Sequence, residues 1–277
     1  MITLDAPRVG RDGALSLRFE RRGATTVLAG CRYTLPLQVL APLPLAEGAA
    51  VVSVLNPTGG LCGGDRLRID VEVGPGAHAC LTTPSATKVY RTQGEPAAQV
   101  VTIRLGAGAI MEWVPDHTIP FAGSAFVQTL SVELGEGARL SLVDAFATGR
   151  VARGEAWGFA LLDSTLSIRD ARGLLLHDRL RLGGPGSRGG LGLAEGHPYF
   201  GTVVVAGDGI EGFGGAVAQA LGPAPAAAVG VGALARRGAL VHCLAPSAPA
   251  LAAALGAIWT AARRRLLGAP ALALRKA

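Results

Sequence analysis

The feature that most limits how this sequence can fold is an internal repeat of two β-strands joined by a glycine turn. The segments VEVGPGAHACLTT, IRLGAGAIMEWVP and VELGEGARLSLVD each contain an apolar run, a G-x-G-A turn and a second apolar run. Their first glycines are Gly74, Gly106 and Gly135, which gives a period of roughly 30 residues. A two-strand unit cannot bury its apolar face alone, but stacked units can. The repeat therefore predicts a mostly β protein with a stacked or helical arrangement of strands.

A weaker fourth copy, LSIRDARGLLLHD, has the turn-forming run Asp170 to Gly173 in place of the glycine pair. When the copies are aligned, polar or turn-forming residues fall in nearly the same place after each second strand. These residues are Thr83, Pro115 with Asp116, Asp144 and Asp178. We expect the functional site where the repeats diverge, and therefore along this column.

The C-terminal third changes from strands alone to strands and helices. Its pattern predicts a strand over 199–207, a helix over 210–222 and a hairpin that turns at Arg236 to Gly238. A longer helix follows, with Ser247 as its N-cap. Its apolar stripe, which we expect to pack on the β-body or on a partner, is Leu251, Leu255, Ile258, Trp259, Ala262 and Leu266. The expected fold is one domain over residues 1–277 with two C-terminal helices.

Composition narrows the class of protein and its compartment. The 40 glycines and 17 prolines favour many turns over a mostly helical fold. The formal charge of +6 comes almost wholly from scattered arginines, whereas a nucleic-acid surface favours clustered basic residues. The four cysteines form no CxxC pair, and the N-terminal segment has no apolar stretch typical of an export signal. We expect a cytoplasmic protein that binds neither nucleic acid nor membrane.

Two polar segments are candidates for function. NPTGGLCGGDRL contains the pairs Gly59–Gly60 and Gly63–Gly64, where the backbone can approach another segment closely. A nucleotide loop is disfavoured because Asp65 follows the last glycine and would repel phosphate. In LTTPSATKVYRTQG, hydroxyl groups lie beside basic and phenolic side chains: Thr82, Thr83, Thr87, Lys88, Tyr90 and Arg91. Taken alone, this segment fits a catalytic site, an anion site or a polar edge strand.

Two residue pairs have simple structural explanations. His78 and Cys80 would share one face of a strand, but a buried cysteine beside a hydrogen-bonded histidine is a commoner arrangement than a metal site. Arg150 and Glu155 belong to the element G-R-x-x-x-G-E. We expect them to form an ion pair that stabilises either a turn or an interface.

Four motifs occur in a specific order: NPTGGLCGGDRL, GPGAHACLTTPSATKVYR, EWVPDHTIPF and ATGRVARGEAWGF. This series resembles the UreD (UreH) family of urease accessory proteins, strongly over about 55–182 and more weakly as far as Trp259. The resemblance implies a mostly β scaffold for urease maturation that is a chaperone and not an enzyme. It also marks motif or interface residues, namely Gly59, Gly60, Gly63, Gly64, Thr82, Thr83, Thr87, Lys88, Tyr90, Arg91, Arg150 and Glu155.

The same resemblance implies partners and a cargo. The expected partners are a helical accessory protein (UreF), a nickel-carrying GTPase (UreG) and the subunits of the urease apoenzyme. No cofactor is expected to bind tightly, and nickel is expected in transit along an internal passage with acidic side chains. The matching residues are Asp65, Asp144 and Asp178, of which the last two also lie in the column. Carboxylates are weak ligands for such an ion, and weak binding permits onward transfer.

Two other functions remain open at this point, and the tail departs from the family. A β-stacked lyase or hydrolase would use Lys88, Tyr90 and Asp144 as acid and base, although no known catalytic motif supports it. A basic binding module would be consistent with the pI of about 9.7, and its affinity would fall steeply with salt. After Pro270 the chain reads ALALRKA, unlike the usual family ending. We therefore assign no partner contact to this tail.

Overall fold

The computed structural model describes residues 11–45, 47–183 and 194–274. The first strands are β1 (Asp12–Arg22), β2 (Thr25–Tyr33), β3 (Gln38–Val39), β4 (Leu43–Pro44), β5 (Ala50–Leu55), β6 (Arg66–Val73), β7 (His78–Thr82), β8 (Thr87–Val89) and β9 (Ala97–Leu105). They are followed by β10 (Ile110–Trp113), β11 (Thr118–Pro120), β12 (Ala125–Leu134), β13 (Arg139–Ala147), β14 (Leu161–Asp170), β15 (Gly173–Gly183), β16 (Tyr199–Ala206), β17 (Ala228–Ala233) and β18 (Gly238–Ala245). The helices are α1 (Phe213–Leu221) and α2 (Ala248–Leu267), and a short 3-10 turn spans Val151–Arg153.

The strands form two stacked sheets, which confirms the predicted mostly β stack with two C-terminal helices. The seven-stranded sheet has the order β15-β14-β12-β9-β6-β1-β2. The eleven-stranded sheet has the order β17-β18-β16-β13-β10-β7-β5-β3, and β4, β8 and β11 attach beside this path. Each of the three G-x-G-A repeats contributes its first strand to the seven-stranded sheet and its second strand to the eleven-stranded sheet. Successive repeats pair in parallel in both sheets.

The G-x-G-A turns stack on one another, and this explains their glycines. The Gly135 N–H donates to the carbonyl of Leu105 at 2.8 Å, and the Gly108 N–H donates to the carbonyl of Glu136 at 2.7 Å. A Cβ added to Gly135 would lie 2.6 Å from the Leu105 oxygen. The second glycine of the middle turn, Gly108, has a φ of +63°, which favours glycine. The first glycine therefore permits close backbone contact, and the second permits the turn itself.

The fourth copy departs from the other three. Its two strands, β14 and β15, pair antiparallel in the seven-stranded sheet, with Asp170 opposite Gly173 at the turn. Without a G-x-G-A corner the chain reverses within one sheet and does not cross to the other. Asp178 therefore lies on the seven-stranded sheet, and its predicted place in the column with Asp144 is wrong.

Apolar side chains fill two layers. One core lies between the sheets, and the second lies between the eleven-stranded sheet and the helices. The predicted stripe of α2 packs into the second core, where Leu251, Ile258 and Ala262 are buried. The Ser247 hydroxyl accepts the Ala250 N–H at 3.3 Å, which confirms the predicted cap. Within the described ranges, the structure has no helix that is both long and apolar enough to cross a membrane.

A buried ionic cluster joins α2 to the eleven-stranded sheet. Glu112, which is 1% exposed, accepts hydrogen bonds from Trp259 Nε1 at 2.7 Å and from Arg263 at 2.5 Å. His78 Nε2 lies 2.8 Å from the same carboxylate, and Arg263 also reaches Glu47. Burial alone would raise the pKa of Glu112, but the His78 hydrogen bond and the Arg263 charge outweigh burial and lower it. His78 is thus a hydrogen-bonded histidine of the second core.

We expect Gly135→Ala to lower the free energy of unfolding by about 1–3 kcal/mol, because the added Cβ must displace the backbone of the neighbouring repeat. Gly256→Ala is the matched control. It lies in α2 with open space around an added Cβ, and alanine favours a helix over glycine by about 1 kcal/mol. Urea unfolding of both variants measures the difference, and equal stabilities would contradict the stacking argument.

We expect Glu112→Ala to lower the free energy of unfolding by about 3–5 kcal/mol, because it leaves the Arg263 charge buried without its main partner. Glu133→Ala removes a carboxylate whose ion pair with Arg104 is exposed, with side chains 63% and 57% accessible. That control should change stability by less than about 0.5 kcal/mol. Urea unfolding would contradict the argument if the two variants lost similar amounts.

Candidate functional site

A cavity of about 170 Å³ lies between the two sheets. The loop after β5, the segment from β7 to β8 and the turn after β10 form one part of its wall. Inward-facing side chains of the central strands form the rest. Polar lining residues from these elements include Asn56, Thr82, Thr83, Ser85, Thr87, Lys88, Gln99, Asp116, Gln128 and Asp144. The two polar segments that the sequence singled out therefore meet at one internal space.

The repeat column is confirmed for its members on the eleven-stranded sheet. Leu81, Trp113 and Leu142 pair side by side on β7, β10 and β13. The column members Thr83, Pro115 and Asp144 follow these three residues by two positions in the sequence. All three line the cavity. The hydroxyl of Thr83 accepts the N–H of Asp116 at 2.9 Å, which ties two of the turns together. Asp116 lines the same space.

Asp144 is held by neutral donors from the opposite sheet. Gln128 Nε2 donates to one carboxylate oxygen at 2.9 Å, and Ser164 Oγ donates to the other at 2.9 Å. Gln99 Nε2 in turn donates to Gln128 Oε1 at 3.2 Å. Burial raises the pKa of Asp144 to about 6; the two hydrogen bonds oppose the rise, and the charge of Asp178 adds to it. The carboxylate therefore lies at the cavity wall, where two neutral side chains donate hydrogen bonds to it.

Asp178 approaches the same region from the seven-stranded sheet. It lies directly opposite Leu166, a buried residue of the core between the sheets. Directly opposite residues of antiparallel strands face the same side, so Asp178 also faces the interior. It is partly buried, and its charge acts on Asp144. The structure thus brings two of the three predicted aspartates together.

Asp65 has a different environment. Its carboxylate accepts the Arg11 N–H at 2.8 Å and the Cys62 N–H at 2.8 Å. It closes the turn before β6 and fixes the start of β1 beside it. Asp65 is not one of the residues that line the cavity.

The first glycine pair packs on the segment around β8. The Leu61 N–H donates to the Lys88 carbonyl, and the Tyr90 N–H donates to the Leu61 carbonyl, both at 2.8 Å. A Cβ added to Gly60 would lie 2.4 Å from the Lys88 oxygen. The Tyr90 hydroxyl donates to the Gly59 carbonyl at 3.2 Å. The close approach expected of these glycines is therefore present, and it builds one wall of the cavity.

The remaining motif residues hold neighbouring segments. An added Cβ on Gly63 would lie 2.9 Å from Thr92 Cγ2, and the Gly64 N–H donates to the Glu95 carbonyl at 2.9 Å. The exposed Arg91 lies beside Gly123, where an added Cβ would be 3.2 Å from Arg91 Cγ.

Two of the three motif threonines, Thr82 and Thr87, join segments at the cavity wall. Thr82 Oγ1 donates to the Val114 carbonyl at 2.9 Å, and the Thr87 N–H donates to the His117 carbonyl at 3.1 Å. Both therefore join the segment from β7 to β8 to the turn after β10.

The sequence model of the UreD family, described as UreD urease accessory protein, matches residues 11–277. The chain belongs to the UreD urease accessory protein family. A urease accessory protein UreD from Deinococcus radiodurans is 37% identical over 284 residues, which cover 100% of both chains. One from Delftia acidovorans is 45% identical over 177 residues, or 63% of this chain and 57% of that relative. Urease accessory protein UreD 2 from Streptomyces griseus is 37% identical over 276 residues, or 95% of this chain and 93% of that relative.

The Arg150–Glu155 element of this UreD family member is a local turn. Arg150 Nε donates to Glu155 Oε2 at 2.7 Å, and a second nitrogen donates to Oε1 at 2.5 Å. The guanidinium carbon lies 4.2 Å from the centre of the Phe121 ring. The expected ion pair is confirmed and brackets the 3-10 turn Val151–Arg153. It is partly exposed.

The proposed catalytic residues of the enzyme alternative are only partly assembled in this UreD family member. Lys88 and Asp144 line the cavity, but the Tyr90 hydroxyl is engaged by Gly59 and Tyr90 is not among the lining residues. Across the described part of the chain, no group of three or more His, Cys, Asp or Glu side chains is placed to hold a metal ion.

Three functional candidates were missed in the sequence: Gln99, Gln128 and Ser164. Gln99 and Gln128 each precede the first glycine of their repeat by seven residues, at positions that face the core. They pair side by side on β9 and β12, and Ser164 pairs with Gln128 on β14. A polar residue at an inward position of an alternating strand was the signal that could have identified them.

We expect Asp144 to make the protein less stable as pH rises from about 4 through about 6. Its pKa is raised from 3.8 to about 6, so the folded state binds this proton more tightly than the unfolded state does. Asp144→Asn should therefore gain stability over the parent between pH 4 and 7, by at most about 3 kcal/mol.

Asp163→Asn is the control for the sign of this effect. Hydrogen bonding and charge from Arg179 lower the pKa of Asp163 despite its burial. That variant should lose stability relative to the parent as pH rises. Urea unfolding at several pH values measures both, and parallel pH profiles for Asp144→Asn and the parent would contradict the assignment.

Proposed function

We propose that this UreD family member is a non-catalytic, cytoplasmic scaffold for urease maturation, and that it helps convey nickel to the urease active site. The observation that carries the proposal is Asp144, a carboxylate at the wall of the cavity that receives hydrogen bonds from the neutral side chains of Gln128 and Ser164. A passing cation would balance the charge of this carboxylate.

The chemistry of the lining suits an ion that must leave again. Carboxylate, amide and hydroxyl oxygens are harder ligands than the imidazole and thiolate groups that hold borderline metals tightly. The raised pKa of Asp144 is that of a group easily protonated near neutral pH, which also weakens metal retention. The cavity would therefore act as a passage and not as a store.

The partner assignment follows from the family. Relatives at full length are named urease accessory proteins. We propose that this chain docks on the urease apoenzyme together with UreF and the nickel-carrying GTPase UreG. The chain would then connect the nickel carrier to the urease subunits.

The enzyme alternative has weaker support, because Tyr90 donates its hydroxyl to a backbone carbonyl and stands outside the cavity lining. An assay of the purified chain distinguishes the enzyme from the scaffold. An enzyme would turn over a substrate as the purified chain, whereas a scaffold would act only in the presence of urease and its accessory proteins.

We expect Asp144→Ala combined with Asp178→Ala to leave the accessory complex intact but to lower the nickel content of urease, because both interior carboxylates are lost. Asp70→Ala combined with Asp208→Ala is the control. It removes the same charge from an Arg68-paired site and from a carboxylate that is 81% exposed. Co-purification measures the complex, and metal analysis of urease measures nickel. Normal nickel loading in the interior double variant would contradict the passage.

The wider proposal is tested by deleting the gene in cells that carry the urease operon and then returning it on a plasmid. Accumulation of apo-urease, with nickel restored by the plasmid copy, is the expected result. Fully loaded urease in the deletion strain would overturn the proposed function.

A further inference from the structure

A second polar row leaves the cavity sideways along the eleven-stranded sheet. Asp144 lies directly opposite Thr202 on β16, and Thr202 lies directly opposite His242 on β18. Directly opposite residues of antiparallel strands face the same side. Since Asp144 faces the seven-stranded sheet, Thr202 and His242 face the same way. The Thr202 hydroxyl and His242 Nδ1 are 3.2 Å apart, so the row is joined by a hydrogen bond.

The rows on either side of this one are apolar. Leu142, Val204 and Leu240 form one flanking row, two residues away along each strand. Phe146 and Phe200 begin the row on the other side, and their rings lie 5.6 Å apart. Polar groups are unfavourable in such a position unless they are hydrogen-bonded or reach water. The row is therefore a polar stripe that crosses an apolar layer.

The stripe reaches solvent because the two sheets end at different places. Beyond β14, the seven-stranded sheet has only the edge strand β15, whereas the eleven-stranded sheet continues past β13 through β16, β18 and β17. On this side of the cavity the eleven-stranded sheet thus has one strand more than the opposite sheet. His242 is exposed, Thr202 is partly exposed and Asp144 lines the cavity. Exposure is therefore greatest at His242 and lower at Thr202 and Asp144, which are both partly exposed.

We propose that Asp144, Thr202 and His242, with Asp178 on the facing sheet, form a lateral opening of the cavity, and that His242 is the outer ligand for a hydrated divalent cation. This inference rests on the proposed function. In the tautomer that carries its proton on Nδ1, His242 donates to Thr202, and the lone pair on Nε2 can replace one water of the ion. The two carboxylates at the inner end draw a cation inward from the neutral imidazole.

His177 provides a matched control within the same chain. Its Nδ1 lies 3.0 Å from Ser167 Oγ, and the histidine is exposed, like His242. It is adjacent to the inward-facing Asp178 on β15 and therefore points to the outer face of the seven-stranded sheet. The two histidines share a local hydrogen bond but differ in access to the interior.

The binding test uses the full chain with isotope-labelled histidine and Ni²⁺ as a paramagnetic probe. We expect the His242 ring signals to broaden at lower Ni²⁺ than those of His177, and this preference to be lost in Asp144→Ala with Asp178→Ala. If both histidines broaden together, His242 is an ordinary surface histidine and the lateral opening is wrong.

The functional test measures nickel in urease from cells grown at limiting and at excess nickel. His242→Ala should lower loading at limiting nickel and lose this defect at excess nickel, while His177→Ala matches the parent. His242→Gln is the second variant, and it should share the defect because it lacks the imidazole. Parental loading in both His242 variants would overturn the inference.

These outcomes separate the two proposals. If gene deletion leaves urease fully loaded, the proposed function fails. If deletion and the interior double variant lower nickel but the His242 variants do not, the passage remains and only its lateral opening is wrong.

Discussion

The stacking of the G-x-G-A corners is the constraint on which the rest of the structure depends. Backbone groups of one corner bond directly to the next, and Gly135 has no room for a Cβ against Leu105. This contact fixes the offset between neighbouring repeats at zero, so equivalent positions lie side by side in both sheets. The polar residues of separate repeats are aligned for this reason. A slip of one residue would send every side chain to the opposite face and scatter the cavity lining.

The same constraint explains what the sequence could predict. The sequence spacing of the repeats predicted that Thr83, Pro115 and Asp144 lie in one row. The prediction holds because the repeats stack in parallel and in register, so equivalent positions become neighbours. It misplaced Asp178 because a tight antiparallel turn reverses the chain within one sheet. The proximity of Asp144 and Asp178 depends on how the two sheets face each other, and that packing has no signature in the local pattern. Gln128 was missed because it is an uncharged polar residue at an inward position of an otherwise apolar strand face.

The strand β10 shows how one short segment serves two layers. Glu112 faces the helical layer, where it meets Trp259 and Arg263, and Trp113 faces the cavity. The partners of Glu112 lie 147 and 151 residues away in the chain. No local spacing rule links them, so the sequence indicated a helix stripe but not the ionic cluster beneath it. Burial of both charges makes this contact sensitive to loss of either partner.

The partly or fully buried carboxylates of this arginine-rich chain differ in their partners, and Asp144 stands apart from those that pair with arginine. Glu112, Glu155, Asp163 and Asp170 each pair with an arginine, and their pKa values are lowered. Arginine is the main cause for Glu155 and Asp163, whereas the His78 hydrogen bond leads for Glu112 and the Arg172 N–H leads for Asp170. Asp144 is held by Gln128 and Ser164 instead, and the charge of another carboxylate, Asp178, raises its pKa further. A structural role would be better served by an arginine at Gln128 than by an amide. Under the proposed function, a carboxylate held by neutral donors would suit a cation that arrives, neutralises the site and departs.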